Sequence, residues 1–173
     1  MTNNTIAANS AISLATYPNL KIRSWEPRDL VQLLPMITEF LQVGHARGGS
    51  LLPTRKNALV LYELGIYGAE MGDPCLVLTD LNQIIAYIEW CCPASVSSFD
   101  LAYKTLHTWG AYTLPKWRKK GVSDILRRRG LEMARELGYE CVTGPVHTTN
   151  ERGIQYFCEE GAWPTSIQFE YLL

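Results

Sequence analysis

The chain has 173 residues, 47% of them hydrophobic and 19% charged, and a formal net charge of −1. That is ordinary for a soluble globular chain and long enough to bury a sizeable core. No apolar run reaches the ~18 residues needed to cross a membrane, and the first lysine, Lys21, comes too late for the basic start of a secretory signal.

Residues 1–19 are small and polar and predict an arm, either flexible or held in a homo-oligomer or larger assembly; residues 20–173 predict one domain. LKIRSW reads as a short strand. Glu26-Pro27 opens a helix, with Pro where its missing N–H is harmless, and Leu30, Leu33, Leu34, Ile37 and Leu41 keep a 3.6-residue period. VGHARGGS breaks it, and a second helix follows over about 54–70. The strands CLVLTD and QIIAYIEWCC are joined by Leu81-Asn82, short enough for a hairpin. After the loop PASVSSFD comes a long strand, LAYKTLHTWGAYTLP. A helix then starts at Gly121, with Val122, Ile125, Leu126, Met133 and Leu137 on one stripe. YECVTGPV is a strand, a helix covers about 150–160, and AWPTSIQFEYLL closes the chain as one or two strands. The order β-α-α-β-β-β-α-β-α-β is that of a mixed α/β (α+β) domain, with a right-handed parallel crossover over 102–146.

Cys75, Cys91, Cys92, Cys141 and Cys158 form no CxxC and have no histidine at zinc spacing. They predict reduced thiols in a cytoplasmic protein and no metal site.

The segment TLPKWRKKGVSDILRRRG, residues 113–130, carries seven basic residues against the single acid Asp124. It lies where the long strand runs into a helix. A helix N-terminus offers free N–H groups and the positive end of its dipole, which together favour an anion. Gly121 permits close backbone approach, and Lys116, Arg118, Lys119 and Lys120 add positive charge. Neither GxxxxGK[ST] nor GxGxxG is present. Arg127, Arg128 and Arg129 read instead as a solvated helix face, with Arg128 placed to pair with Glu132. A nucleic-acid site is disfavoured, because the rest of the chain is net acidic and has no nucleic-acid motif.

PKWRKKGVS, residues 115–123, resembles the acyl-CoA-binding motif of the GNAT superfamily of N-acetyltransferases: Arg or Gln, two residues, Gly, one residue, Gly or Ala. NERGIQYFCEEGAW, residues 150–163, resembles the superfamily's later helix, Asn-x-x-Ala followed by a tyrosine and Gly-Phe. The resemblance implies a single GNAT-like domain with a mixed, splayed central sheet, and acetyl-CoA as co-substrate without a metal. It implies a diphosphate held by the N–H groups of Lys119, Lys120, Gly121, Val122 and Ser123, with Arg118 and Lys120 beside it. The pantetheine arm would pair with the backbone of Ala111, Tyr112, Thr113 and Leu114, and Asn150 would reach the cofactor near the thioester. It also places acceptor specificity in the loop HARGGSLL, with His45 and Arg47.

Two positions depart from the pattern. Ser123 replaces the second small residue and keeps a donor for phosphate. The tyrosine that protonates the departing thiolate falls at Phe157, with Tyr156 one residue early, about 100° around a helix. Tyr156 either takes that part or is a core aromatic. The amine needs a base, since a lysine-type amine has a pKa near ~10.4. Glu89 and His107 are the candidates. Glu89 sits in an apolar strand that would raise its pKa, or it faces water at the splayed end of the sheet. His107 alternates with Trp109, Ala111 and Thr113 on one face, and His147 borders the site or caps a loop. The resulting expectation is direct acetyl transfer from acetyl-CoA to a primary amine, on a small molecule or a protein. The alternative is a weak or inactive protein of the same fold, serving as a structural or regulatory subunit.

Overall fold

The computed structural model describes residues 17–91 and 104–165. Most of the expected arm, the PASVSSFD loop with Cys92, and the closing strand from residue 166 lie outside the described residues. Residues 162–165 have no regular structure.

In chain order the elements are β1 Leu20–Ser24, α1 Leu30–Ala46, α2 Arg55–Glu70, β2 Cys75–Asp80, β3 Gln83–Cys91, β4 Thr105–Thr113, α3 Val122–Glu136, β5 Cys141–Thr143 and α4 Glu151–Glu159. The helix expected from Glu26-Pro27 starts as one 3-10 turn, Pro27–Asp29, and becomes regular at Leu30. Within α1, Leu33, Met36, Ile37 and Leu41 are buried, one stripe of the expected period. The hairpin turns at Leu81-Asn82, where Leu81 takes a φ of 55°.

The five strands lie in the order β1-β2-β3-β4-β5. The first three pairings are antiparallel and β4–β5 is parallel, as the expected crossover through α3 requires. α1 and α2 cover one face, with Leu33, Ile37, Tyr62, Val77 and Tyr87 in the core beneath them. α3 covers the other through Val122, Leu126 and Ala134, against Leu76, Leu78, Ile88 and Leu106. β2 and β3 are therefore buried on both faces. That explains why CLVLTD and QIIAYIEW are continuous apolar runs rather than alternating ones. Each fully buried Leu or Ile here is worth roughly 1.5–3 kcal/mol over an exposed one.

Two irregularities shape the sheet. Glu89 pairs with Gly110 but Trp90 pairs with Thr108, so Trp109 bulges out of β4. The bulge shifts the alternation by one: Leu106 packs under α3, whereas Tyr112 packs under α1 and α2. His107 thus shares its face with Gly110 and Tyr112, not with Ala111 and Thr113 as simple alternation predicts. The second irregularity is the end of β5. Its pairing with β4 stops at His107↔Thr143. At Gly144 a side chain would begin 1.9 Å from Thr108 Cγ2, and Pro145 has no N–H to continue the ladder. β4 runs on to Thr113 paired with β3 but without β5, and the sheet opens between β4 and β5.

Candidate active site

The opening exposes one edge of β4. The Leu114 N–H donates to the Ile85 carbonyl at 2.9 Å, toward β3. Strand periodicity turns Tyr112 and Gly110 the same way and turns Ala111 and Thr113 toward the opening. Of the four residues expected to meet a pantetheine arm, Ala111 and the N–H of Thr113 face the opening, whereas the Thr113 carbonyl accepts from Arg118 and Tyr112 and Leu114 are turned toward β3.

The opening leads to the basic turn. After the 3-10 turn Pro115–Trp117, Lys119 and Gly121 both adopt left-handed conformations, with φ of 61° and 71°. Gly121 takes this without strain and Lys119 does not. The Gly121 carbonyl accepts from Asp124 and Ile125 at 3.1 and 3.2 Å, which starts α3. The N–H groups of Lys119, Lys120, Gly121, Val122 and Ser123 have no backbone acceptor among the described residues. Five such donors at the positive end of a helix have the chemistry to cradle an anion.

The cations divide their work. Lys120 Nζ stands 5.0 Å from the Trp117 ring centre, beside the cradle. Lys116 donates to Gln83 Oε1 at 3.1 Å. Arg118 turns the other way. Its Nε donates to the Thr113 carbonyl at 3.0 Å, its guanidinium lies 5.1 Å from the Tyr112 ring centre, and Glu39 of α1 is 3.8 Å from it. Arg127 is not the solvated residue the sequence suggests. Its side chain is 14% exposed, its Nε donates to Tyr156 Oη at 2.8 Å, and it pairs with Glu160. Glu132 pairs with Arg129 rather than Arg128.

Tyr156 is held in the same network. Its hydroxyl donates to Asp124 in the first turn of α3 and accepts from Arg127. Burial, with Asp124 next, pushes its pKa up to about 12. Phe157 is 39% exposed and has no hydroxyl to offer. Asn150 stands at the N-terminal boundary of α4 without a side-chain capping hydrogen bond, and its amide folds to within 2.3 Å of where a side chain on Gly153 would begin.

The other face of β4 carries the second part of the site. Glu89 is completely buried, so the solvent-facing reading is wrong. The reason is the cover over it: Gly110 lies directly opposite, and a side chain on Gly110 would begin 3.4 Å from Glu89 Oε2, 3.5 Å from the Tyr87 ring and 3.6 Å from the Phe40 ring of α1. Neither Glu89 oxygen has a hydrogen-bond partner. Burial, then Cys91, pushes its carboxyl well above the usual range. The neutral acid is favoured at such a site, and a carboxyl with a raised pKa is the stronger base once it ionises. His107 Nδ1 meets Thr143 Oγ1 at 3.0 Å, its Nε2 is buried without a partner, and burial lowers its pKa. Thr149 N–H donates to His147 Nδ1 at 3.3 Å, and a side chain on Gly48 of the α1–α2 loop would begin 3.5 Å from His147 Nε2. His147 therefore caps its own loop and faces the α1–α2 loop at Gly48. His45 Nδ1 lies 3.0 Å from the Gly49 carbonyl within that loop. Among the described residues no group of His, Cys, Asp and Glu could hold a metal.

Sequence reasoning missed Glu39, Tyr87, Gly110 and Gly144. Two signals were readable. Tyr87 stands two residues from Glu89, on the same strand face. Glycine within a strand marks a bulge or close approach, which is what Gly110 provides.

No protein-family model matches the sequence, and no curated protein matches it. Among solved structures the chain is similar to AAC(6')-Iy in complex with the bisubstrate analogue CoA-S-monomethyl-acetylneamine: TM-score 0.63, 14% identity, 89% of this chain and 97% of that one. It is similar to Naa50 of Arabidopsis thaliana in complex with a bisubstrate analogue: TM-score 0.62, 15% identity, 89% and 90%. It is also similar to a transcriptional regulator from Bacillus halodurans: TM-score 0.64, 16% identity, 89% and 99%. The fold is that of the GNAT acetyltransferases.

Proposed function

We propose that the protein transfers an acetyl group from acetyl-CoA to a primary amine. One observation carries the reading: an edge of β4 left without a partner strand by β5 leads from a turn with five unbonded amides past Thr113 to Ala111, and a buried carboxyl with no hydrogen-bond partner, Glu89, stands behind the neighbouring Gly110. The cradle has the donors and the left-handed turns that a diphosphate needs. Residues 119–123 would hold it, with Lys119 and Lys120 in support. The backbone of Ala111 and Thr113 would align the pantetheine arm, and an N–H of this edge would polarise the acyl carbonyl. Bound there, the cofactor supplies a thioester as acyl donor. Glu89 takes the proton that makes the amine a nucleophile, with His107 in a supporting place beside it.

We assign Tyr156 to the joint between α3 and α4 rather than to the thiolate. A thiol has a pKa near ~8.5, so its anion leaves tolerably without an acid. Tyr156→Phe is expected to destabilise the fold by about 1–3 kcal/mol while turnover falls less than tenfold. Thermal melts and steady-state rates check it; a loss of ~10² or more in kcat with unchanged melting would return Tyr156 to the acid role.

The acceptor is an amine that reaches the α1/α2 side of β4. The complexes of similar structures with an acetylneamine analogue, sisomicin and the peptide analogue CoA-Ac-MVNAL suggest the range to screen. Work in the cytoplasm and assembly through the arm belong to the same reading. The test is calorimetric titration with acetyl-CoA, followed by turnover against a panel of small amines, aminoglycosides and peptide N-termini. Phe157 at the acid position favours a second reading, an inactive subunit of the same fold. Cofactor binding with no turnover on any acceptor would select it, and absence of binding would remove both.

A further inference from the structure

The opening between β4 and β5 has a closed end, and two residues make it. β5 stops pairing at His107↔Thr143. In the next position the Thr108 methyl fills the place where Gly144 would carry a side chain. A side chain on Gly144 would begin 1.9 Å from Thr108 Cγ2, 3.2 Å from Thr108 Cβ and 3.3 Å from the Thr108 carbonyl oxygen. Carbon atoms in contact settle at about 3.5–4.0 Å, so only glycine lets the two strands approach this closely. Thr108 and Gly144 together form a wedge at the bottom of the opening. One residue back, His107 Nδ1 and Thr143 Oγ1 meet at 3.0 Å and tie β4 to β5 behind it.

The wedge stands at a fixed distance from the edge that leads to it. Thr108 pairs with Trp90 of β3 and Ala111 pairs with Ile88. The ladder therefore holds both in place. Three residues of strand separate them, roughly 10 Å at ~3.3 Å per residue, and the bulge at Trp109 shortens that span. Between them the α1/α2 side is filled. A side chain on Gly110 would begin 3.5 Å from the Tyr87 ring and 3.6 Å from the Phe40 ring.

We propose that Thr108 and Gly144 set the length of the acyl group that the protein transfers, admitting chains of up to about four carbons and stopping longer ones. This rests on the acetyltransferase reading above. In that reading the cofactor comes from residues 119–123, passes Thr113 and brings its thioester to Ala111, so the acyl chain continues toward Thr108. Its last carbon must stay about 4 Å from the wedge methyl, which leaves roughly 6 Å of the strand between. A C–C bond is about 1.5 Å long, so that space takes the carbonyl carbon and three more at most. Chain length leaves the chemistry unchanged. The amine nitrogen forms the C–N bond as the C–S bond breaks, and the proton shed by the nitrogen balances the departing sulfur as a thiol.

The test reads acyl length in two ways, by affinity and by turnover. Calorimetric titrations and kcat/KM values are measured with acetyl-, butyryl-, hexanoyl- and octanoyl-CoA for wild type, Thr108→Ser and Thr108→Val. In wild type, kcat/KM is expected to fall at least tenfold between butyryl- and hexanoyl-CoA, the scale on which a pocket rejects an extra methylene. Thr108→Ser removes the wedge methyl and should raise the hexanoyl-to-butyryl ratio about tenfold. Thr108→Val keeps a methyl there and should keep the wild-type cut-off. A residue that only supports the fold would change every substrate by the same factor and leave the ratio where it was; that result overturns the wedge. So does a wild type that uses octanoyl-CoA as well as acetyl-CoA. Either result leaves the acetyltransferase reading standing. If wild type binds the series and turns over no acceptor, the acetyltransferase reading falls, and a hexanoyl-CoA affinity at least tenfold below that of butyryl-CoA still supports the wedge. Failure to bind any acyl-CoA overturns both.

Discussion

Glu89→Gln is expected to lower turnover by about 10²–10⁴-fold and to leave acetyl-CoA affinity unchanged. The side chains are isosteric, and Glu89 stands behind β4, away from the cradle. A buried carboxyl with two unbonded oxygens is an expensive thing to keep in a core, which gives the site its functional meaning. It also ties activity to stability in opposite senses. The folded carboxyl is raised above its ordinary range by burial, whereas in the unfolded chain it titrates near ~4.3. Above that point the unfolded chain has lost a proton that the folded chain still holds. The contribution of Glu89 to stability is therefore full below ~4.3 and declines as pH rises through the folded pKa. Turnover climbs through that same folded pKa, because the base must be ionised to accept a proton. Glu89→Gln should abolish the stability slope, so its melting temperature should gain on wild type as pH rises. Melts at stepped pH and the kcat–pH profile check both halves. Full activity in Glu89→Gln would remove the carboxylate from the mechanism.

Gly121→Glu is expected to weaken acetyl-CoA binding by ~100-fold or more, about 2.7 kcal/mol. Two effects add. A side chain at a φ of 71° is strained by roughly 1–2 kcal/mol, and relief of that strain re-aims the amides of its neighbours. A carboxylate would also sit beside the donors meant for a diphosphate and occupy the helix N-terminus itself. Asp124 and Ile125 bond to the Gly121 carbonyl, so the first turn of α3 should remain. Gly121→Ala separates the effects, carrying the strain without the charge, and should bind with an intermediate affinity. Calorimetric titration of the three proteins checks this. If all three bind acetyl-CoA equally well, the cradle is not where the cofactor sits.

The order of elements was legible because each rests on local chemistry. The 3.6-residue period placed α1, and Gly121 placed the start of α3. Leu81-Asn82 placed the hairpin, and continuous apolar runs placed the doubly covered β2 and β3. The cradle was legible for the same reason, since its donors, its turn and its charge all fall within residues 115–123. Other features depend on what a residue meets from far away in the chain. Arg118 and Arg127 look alike in sequence. One clasps Thr113 and Glu39, and the other is locked to Tyr156 and Glu160.

What the sequence determined by itself, then, is the layered fold and a basic turn at the start of α3, because helix periods, turn residues and helix ends are short-range physics. Only the tertiary structure decided that Trp109 bulges and carries His107 to the Tyr112 face, and that Gly144 and Pro145 end the pairing of β5. It alone buried Glu89 behind Gly110. Register, burial and the loss of hydration are set by strands brought together across long stretches of chain, and no local pattern encodes which face of a strand will be left dry.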